Sequence, residues 1–131
     1  MATRERPLSP FLTYRWQYTN TLSILNRFTG LALSMGLIPL IYWLVAAASG
    51  PEAYADALEV LGSPVVMFIM VGFSFSFFYH LLNGIRHLVW DLGYGFDLRV
   101  ARASGWFVFI GSLVLTALSW ALLAHAMGGT A

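Results

Sequence analysis

The sequence contains no cysteine and no lysine, and only 10% of its 131 residues are charged. Without cysteine the chain has no disulfide bonds, thiolate metal ligands or thiol nucleophiles. Soluble domains usually contain about 25% charged residues, whereas this chain is 59% hydrophobic and has a mean hydropathy of +0.73. So little charge does not cover a water-facing surface, and the composition therefore predicts a protein of the lipid bilayer.

The sequence also lacks the motifs of a self-contained soluble enzyme. It has no nucleophile–base arrangement, no phosphate-binding loop and no hydrolytic metal motif, and nothing in it indicates nucleic-acid binding. Its polar portion is too small to house a soluble active site. Any catalysis is therefore expected to be shared with partner chains.

Three long apolar segments, separated by short polar stretches, dominate the chain. A membrane-spanning helix needs about 20 predominantly apolar residues, so we predict an all-α membrane protein with three transmembrane helices. The predicted helices cover about residues 21–49, 64–92 and 103–126 of a single anchor domain, residues 1–131. A short surface helix is expected between the first two, over residues 51–61.

The basic residues are distributed unevenly around the predicted helices. Those outside the apolar segments are Arg4, Arg6 and Arg15 before the first helix, and Arg99 and Arg102 between the second and the third. The connection between the first and second helices carries acidic residues and no basic one. By the positive-inside rule, the N-terminus and the second connection face the cytoplasm, or the matrix in an organelle.

The stretch from Tyr79 to Asp91 is unusual because it places ionisable residues within and directly after an apolar segment. Ionisable groups inside a membrane are costly and therefore candidates for function. At 3.6 residues per turn, four residues of the stretch share one helix face. This polar stripe consists of His80, Gly84, His87 and Asp91. Such a stripe, with a glycine one turn after a histidine, is expected to form one wall of a cofactor pocket.

His80 is the sharpest candidate in the stripe. It lies about 16 Å of helix away from Asp91, at about 1.5 Å per residue, and therefore within the apolar layer. A neutral imidazole there needs a hydrogen-bond partner or a metal. Phe73, Phe77 and Gly84 lie on nearly the same face and would accommodate a flat ring system, so His80 suits an axial haem ligand. A histidine hydrogen-bonded between helices is the alternative.

The other two histidines do not complete a haem site within this chain. His87 lies about 10 Å further along the same helix, and two residues so placed cannot bind opposite faces of one iron. His125 lies at the outer end of the third helix and is expected to be an interfacial residue. If the iron has two histidine ligands, the second is expected to come from another chain.

Ser23 and Arg27 form a second constellation, four residues apart at the cytoplasmic end of the first helix. A hydroxyl and a guanidinium beside an apolar groove suit a carbonyl-bearing lipophilic ligand such as a quinone. Arginines near helix ends also snorkel to the interface. Arg27 has two further potential partners, Asp91 and the propionates of a haem.

Three motifs together resemble the cytochrome b556 subunits of succinate dehydrogenase, the larger-type membrane anchors of respiratory complex II. They are RPLSP at residues 6–10, SILNRFTG at residues 23–30 and HLLNGIRHLVWD at residues 80–91. The resemblance covers the chain from about residue 6 to residue 125, including the three-helix topology.

The resemblance implies a subunit of succinate:ubiquinone oxidoreductase, with no complete active site on this chain alone. His80 matches the axial ligand of a haem b, whose iron is shared with a companion anchor subunit. Ser23 and Arg27 match positions that line the ubiquinone pocket, beside the iron–sulfur subunit, and Arg27 also approaches a haem propionate. His87 matches a histidine near the haem and quinone edge.

The implied setting is the electron-transport chain and the tricarboxylic acid cycle. The implied partners are the companion anchor, the iron–sulfur subunit, the flavoprotein subunit and the lipid bilayer. The implied location is the bacterial inner membrane, or the mitochondrial inner membrane in a eukaryote, within a hetero-oligomeric helix bundle.

The chain departs from the family pattern at Asn26, where some members have histidine. Asparagine forms hydrogen bonds but does not take up protons, so a proton-relay role at this position is in doubt. Two alternatives to the succinate dehydrogenase assignment stay open at this point. One is the anchor of a quinol:fumarate reductase, and the other is a cofactor-free membrane scaffold or assembly protein.

Overall fold

The computed structural model describes the backbone of residues 18–129 and the side chains of residues 21–129. All regular structure in this part of the chain is helical. The four helices are α1 (Tyr18–Ser49), α2 (Pro51–Leu61), α3 (Pro64–Asp91) and α4 (Leu98–Gly128). The RPLSP motif and the three N-terminal arginines that entered the orientation argument lie outside the described residues.

Three of the helices, α1, α3 and α4, are long and apolar enough to cross a membrane. Most of their large apolar side chains remain exposed, as Phe68 (80%) and Phe107 (71%) illustrate. Such a surface suits lipid or other membrane helices rather than water. The prediction of an all-α membrane protein with three spanning helices is therefore confirmed.

Glycine and proline mark the helix boundaries. Gly50 has a φ of +116°, which a residue with a side chain rarely adopts, and it separates α1 from Pro51 at the start of α2. Ser63 precedes Pro64 in the first turn of α3, where a missing backbone N–H does no harm. The connection from α3 to α4 is closed by the Trp90 indole N–H, which donates to the Gly95 carbonyl at 3.1 Å.

The last helix begins at Leu98, about five residues before the position expected from the sequence. From the sequence, Arg99 and Arg102 were expected in the connection before this helix. Arginine is, however, a good helix former, and the side chain of Asp97 caps the first turn by accepting from the Arg99 backbone N–H at 3.3 Å. The first turn of α4 is therefore charged and exposed, and the apolar stretch follows it.

Helix α3 is the central element, because it packs against α1 on one side and α4 on the other. The small core contains Leu22 from α1, Tyr79 from α3 and Val108 from α4. Tyr79 is fully buried, and its hydroxyl donates to the Leu22 carbonyl at 3.1 Å. This contact fixes how α1 and α3 are rotated relative to each other, and thereby which side chains face the gap between them.

Candidate functional site

The polar stripe of α3 lies beside the face that the chain buries. The residues of α3 that are buried within the chain are Ser76, Tyr79, Asn83 and Arg86. His80 is half-buried, whereas Gly84, His87 and Asp91 are exposed. The stripe is therefore accessible to a ligand or to another chain.

His80 lies against α1, at the two consecutive residues Thr29 and Gly30. The Thr29 hydroxyl is 3.4 Å from Nδ1 of His80. A methyl group added at Gly30 would be 3.1 Å from Cε1 of the same ring, closer than most contacts of that kind. Gly84, predicted from the sequence to leave space for a flat cofactor ring, has open space beside it, since an added methyl there meets no atom within 4 Å. Gly30 is the glycine that leaves space for the imidazole of His80 itself.

A polar cavity of about 190 Å³ lies between α1 and α3, nearer the Asp91 end of α3 than His80 is. Its lining residues are Leu22, Ser23, Asn26 and Arg27 from α1, and Asn83, Arg86, His87 and Trp90 from α3. The structure thus brings Ser23, Arg27 and His87 to one cavity. His80 and Asp91 are not among its lining residues.

The side chains of Ser23 and Arg27 are exposed, and that of Asn26 is half-buried. A ligand in the cavity would therefore meet a hydroxyl, an amide and a guanidinium from successive turns of one helix. Such donors suit the carbonyl oxygens of an amphiphilic molecule, because each of them supplies an N–H or O–H group. The Asn26 position, where the family pattern has histidine in some members, belongs to the cavity wall.

Arg86 belongs to the stretch of ionisable residues noted in the sequence, but its contacts with α4 were not predicted. It is only 8% exposed, and its guanidinium reaches across to α4. Nε donates to the Ser104 hydroxyl at 2.8 Å, and Nη2 donates to the Ala101 carbonyl at 2.9 Å. The charged group also lies 4.1 Å from the centre of the Trp90 ring, a cation–π distance. Its spacing from Tyr79 and Asn83 was the signal that could have placed it on the packed face.

His87 is separated from His80 by its surroundings as well as by its distance along α3. Its ring packs edge-on against Trp90, with centroids 5.1 Å apart and an interplanar angle of 85°. Trp90 therefore contacts both His87 and the buried guanidinium of Arg86. His87 belongs to the cavity of Ser23 and Arg27, whereas His80 belongs to the contact with Thr29 and Gly30. His125 is exposed in the last turn of α4.

No group of three or more histidine, aspartate and glutamate side chains within the described residues is arranged to hold a metal ion. The donor set at His80 is instead one imidazole on an apolar helix. One imidazole per chain suits a haem, whose porphyrin supplies the four equatorial nitrogens and which needs only axial ligands from protein.

Three apolar helices that bury few of their side chains define this protein as a polytopic membrane subunit with a histidine site and a separate polar cavity. The family model described as succinate dehydrogenase/fumarate reductase transmembrane subunit matches residues 2–119. The chain belongs to this family.

Several relatives are similar to the chain over nearly all of its length. The succinate dehydrogenase cytochrome b556 subunit of Rickettsia conorii is 42% identical over 117 residues, which is 88% of this chain and 91% of the relative. The subunit of the same name from Paracoccus denitrificans is 42% identical over 115 residues, or 87% and 88% of the two chains. The mitochondrial succinate dehydrogenase cytochrome b560 subunit of Sus scrofa is 39% identical over 120 residues, or 87% and 67%.

Proposed function

We propose that this chain is the haem b-binding membrane anchor of a succinate:ubiquinone oxidoreductase. The observation that carries the proposal is the position of His80, half-buried on α3 with one ring nitrogen beside Thr29 and the ring resting on Gly30. The printed names of the relatives, cytochrome b556 and b560 subunits of succinate dehydrogenase, support the same assignment.

The residues of the chain fit one half of a haem site. His80 would supply one axial nitrogen, and a companion anchor subunit would supply the other, because His87 and His125 lie elsewhere in the chain. When bound, the haem supplies a one-electron carrier within the membrane. Arg27 is a candidate partner for a haem propionate. Its side chain is exposed, and it lies at the cavity end of the α1–α3 pair.

The polar cavity is the proposed site of ubiquinone reduction. Ser23 would donate a hydrogen bond to a quinone carbonyl oxygen, and Arg27 would stabilise the negative charge that develops on that oxygen during reduction. The buried guanidinium of Arg86 lends further positive potential to the same wall. His87 would lie at the edge of the bound ring.

The cavity is open to other subunits, since Ser23, Arg27 and His87 are all exposed within this chain. We propose that the iron–sulfur subunit completes the cavity, and that electrons from succinate reach the cavity through the flavin of the flavoprotein subunit and then the iron–sulfur clusters. The complex would reside in the bacterial inner membrane, in keeping with the Rickettsia and Paracoccus relatives. A mitochondrial inner membrane is the corresponding location in a eukaryote.

The test is a reduced-minus-oxidised absorption spectrum of the complex purified through this chain. We expect the bands of a b-type haem, and we expect His80→Ala to abolish or shift them. His125→Ala, which removes an exposed histidine at the other end of the protein, serves as the matched control and should leave the bands unchanged. A complex without haem bands would favour the scaffold alternative, and bands that survive His80→Ala unchanged would overturn the ligand assignment.

The alternative to succinate oxidation is the reverse reaction, the reduction of fumarate by a quinol, since the family description includes fumarate reductase. Parallel assays of succinate oxidation by ubiquinone and of fumarate reduction by a quinol would compare the two directions in one preparation. We expect the first to be the faster, as the relatives' names indicate.

A further inference from the structure

The Thr29 hydroxyl lies between the Asn26 carbonyl and Nδ1 of His80, and it has one hydrogen to donate. It donates that hydrogen to the Asn26 carbonyl at 2.9 Å, one turn earlier in α1. The side chain is only 3% exposed, so water does not compete for the hydrogen. Toward Nδ1 of His80, at 3.4 Å, the same oxygen offers lone pairs alone. With the hydroxyl hydrogen so used, the contact is a hydrogen bond when Nδ1 carries the proton of the neutral imidazole.

We propose that Thr29 is a positioning residue for His80. Its hydroxyl accepts the Nδ1–H of the imidazole and so selects the tautomer in which Nε2 is unprotonated and free to bind iron. This inference rests on the proposed function, in which His80 is an axial ligand. A histidine that binds a metal through one nitrogen generally donates a hydrogen bond from the other, and Thr29 is the group that the fold places there.

Gly30 contributes the space that this arrangement requires. A methyl group added there would lie 3.1 Å from Cε1, 3.6 Å from Nδ1 and 4.0 Å from Nε2 of His80. The edge of the ring between Nδ1 and Cε1 therefore faces α1, and Nε2 is the farthest of the three atoms from it. Two consecutive residues of α1 hold the ring, one through a hydroxyl and one through the absence of a side chain.

The accepted hydrogen bond has a consequence for the electronic properties of a bound iron. It increases the electron donation of the imidazole, which stabilises the ferric state more than the ferrous state. The distance of 3.4 Å is longer than the usual 2.7–3.2 Å of an N–H···O bond, so the expected effect is moderate. Loss of the hydroxyl should raise the midpoint potential of the haem and change the g values of its ferric form.

The experiment compares Thr29→Val and Thr29→Ser in the complete purified complex. Valine keeps the branched shape and removes the hydroxyl, whereas serine keeps the hydroxyl. Thr116→Val is the matched control, because Thr116 is also buried in a spanning helix and donates to a carbonyl one turn earlier, at 2.7 Å. The measurements are haem per complex, the midpoint potential by redox titration, and the electron paramagnetic resonance spectrum of the oxidised haem.

We expect Thr29→Val to raise the midpoint potential and shift the g values, while Thr29→Ser and Thr116→Val resemble the wild type. If Thr29→Val instead loses its haem, retention by Thr29→Ser supports the same requirement for a hydroxyl. Wild-type values in Thr29→Val, or equal changes in Thr29→Ser, would overturn the inference. These outcomes are distinct from failure of the proposed function, which would show as a wild-type complex without haem or a haem indifferent to His80→Ala.

Discussion

Ser23 and Arg27 are the two side chains on which the proposed quinone site depends most. Both are exposed in this chain, and both line the cavity beside His87. The buried contact of α1 with α3 is made instead by Leu22 and Tyr79. Substitution of Ser23 or Arg27 is therefore expected to change ligand binding more than folding.

We predict that Arg27→Ala lowers ubiquinone reduction at least about tenfold, because a hydrogen bond to a charged group is worth about 1.5–3 kcal/mol. Ser23→Ala should lower it by less. Succinate oxidation with a soluble artificial acceptor should persist in both variants. Ser34→Ala is the control, since that hydroxyl is exposed on α1 and donates to the Gly30 carbonyl. Equal loss of both activities would indicate failed assembly and contradict the assignment.

A second prediction at this scale concerns Gly30. The added methyl of Gly30→Ala would approach Cε1 of His80 to 3.1 Å, so the ring must shift or α1 and α3 must separate. We expect a lower haem content or a shifted haem spectrum. Gly72→Ala makes the same change in a spanning helix where no atom lies within 4 Å, and it should leave both quantities unchanged. An unaltered haem content and spectrum in Gly30→Ala would show that the close approach of Gly30 to His80 is not required for haem binding.

At the scale of the helices, α3 is held to α4 by Arg86. A guanidinium presents several N–H groups in a fixed plane, and here it reaches the Ser104 hydroxyl and the Ala101 carbonyl together. Lysine has a single ammonium centre and cannot reproduce that geometry. The pair of helices therefore depends on arginine in particular, and not on positive charge alone.

We predict that Arg86→Lys shortens the lifetime of the detergent-solubilised complex on heating, by an amount corresponding to about 1–3 kcal/mol. The decay of assembled complex at a fixed elevated temperature is the measurement. Arg99→Lys, at an exposed position in the first turn of α4, should have no effect. The same lifetime for Arg86→Lys and the wild type would contradict this account of the α3–α4 contact.

The helices themselves were largely predictable from the sequence, whereas their rotation about their axes was not. Uncharged length determines a spanning helix, and Gly50 and Pro64 mark boundaries through backbone chemistry. Which residues of α3 face inward depends on contacts such as that of Tyr79 with the Leu22 carbonyl. The apolar segments are hydrophobic on all sides, so their pattern indicates no inner face. The contact of Thr29 with His80 was missed for this reason.

At the scale of the whole molecule, the protein exposes most of its apolar surface and the polar stripe of α3. The orientation expected from the arginines places α2 on the outside and the start of α4 on the cytoplasmic side. The lack of cysteine in the sequence makes this topology straightforward to test, because a single introduced thiol is then the only one in this sequence and is read from the labelling of this chain after its separation from other proteins.

We predict that Ala55→Cys, at an exposed position of α2, reacts with a membrane-impermeant maleimide in intact cells. Ala103→Cys, exposed near the start of α4, should react only after the membrane is opened. Each variant is the other's control, and succinate dehydrogenase activity of the membranes reports that the complex has assembled. The reverse labelling pattern would overturn the orientation.

The position of His80 and His87 on one continuous helix has a mechanical consequence. Seven residues of α-helix separate them by about 10 Å at about 1.5 Å per residue, and no hinge interrupts α3 between Pro64 and Asp91. The distance from the histidine site to the polar cavity is thus set by the pitch of a single helix. Any ligands bound at the two sites would therefore be held at a fixed axial spacing by this chain, whatever the neighbouring subunits do.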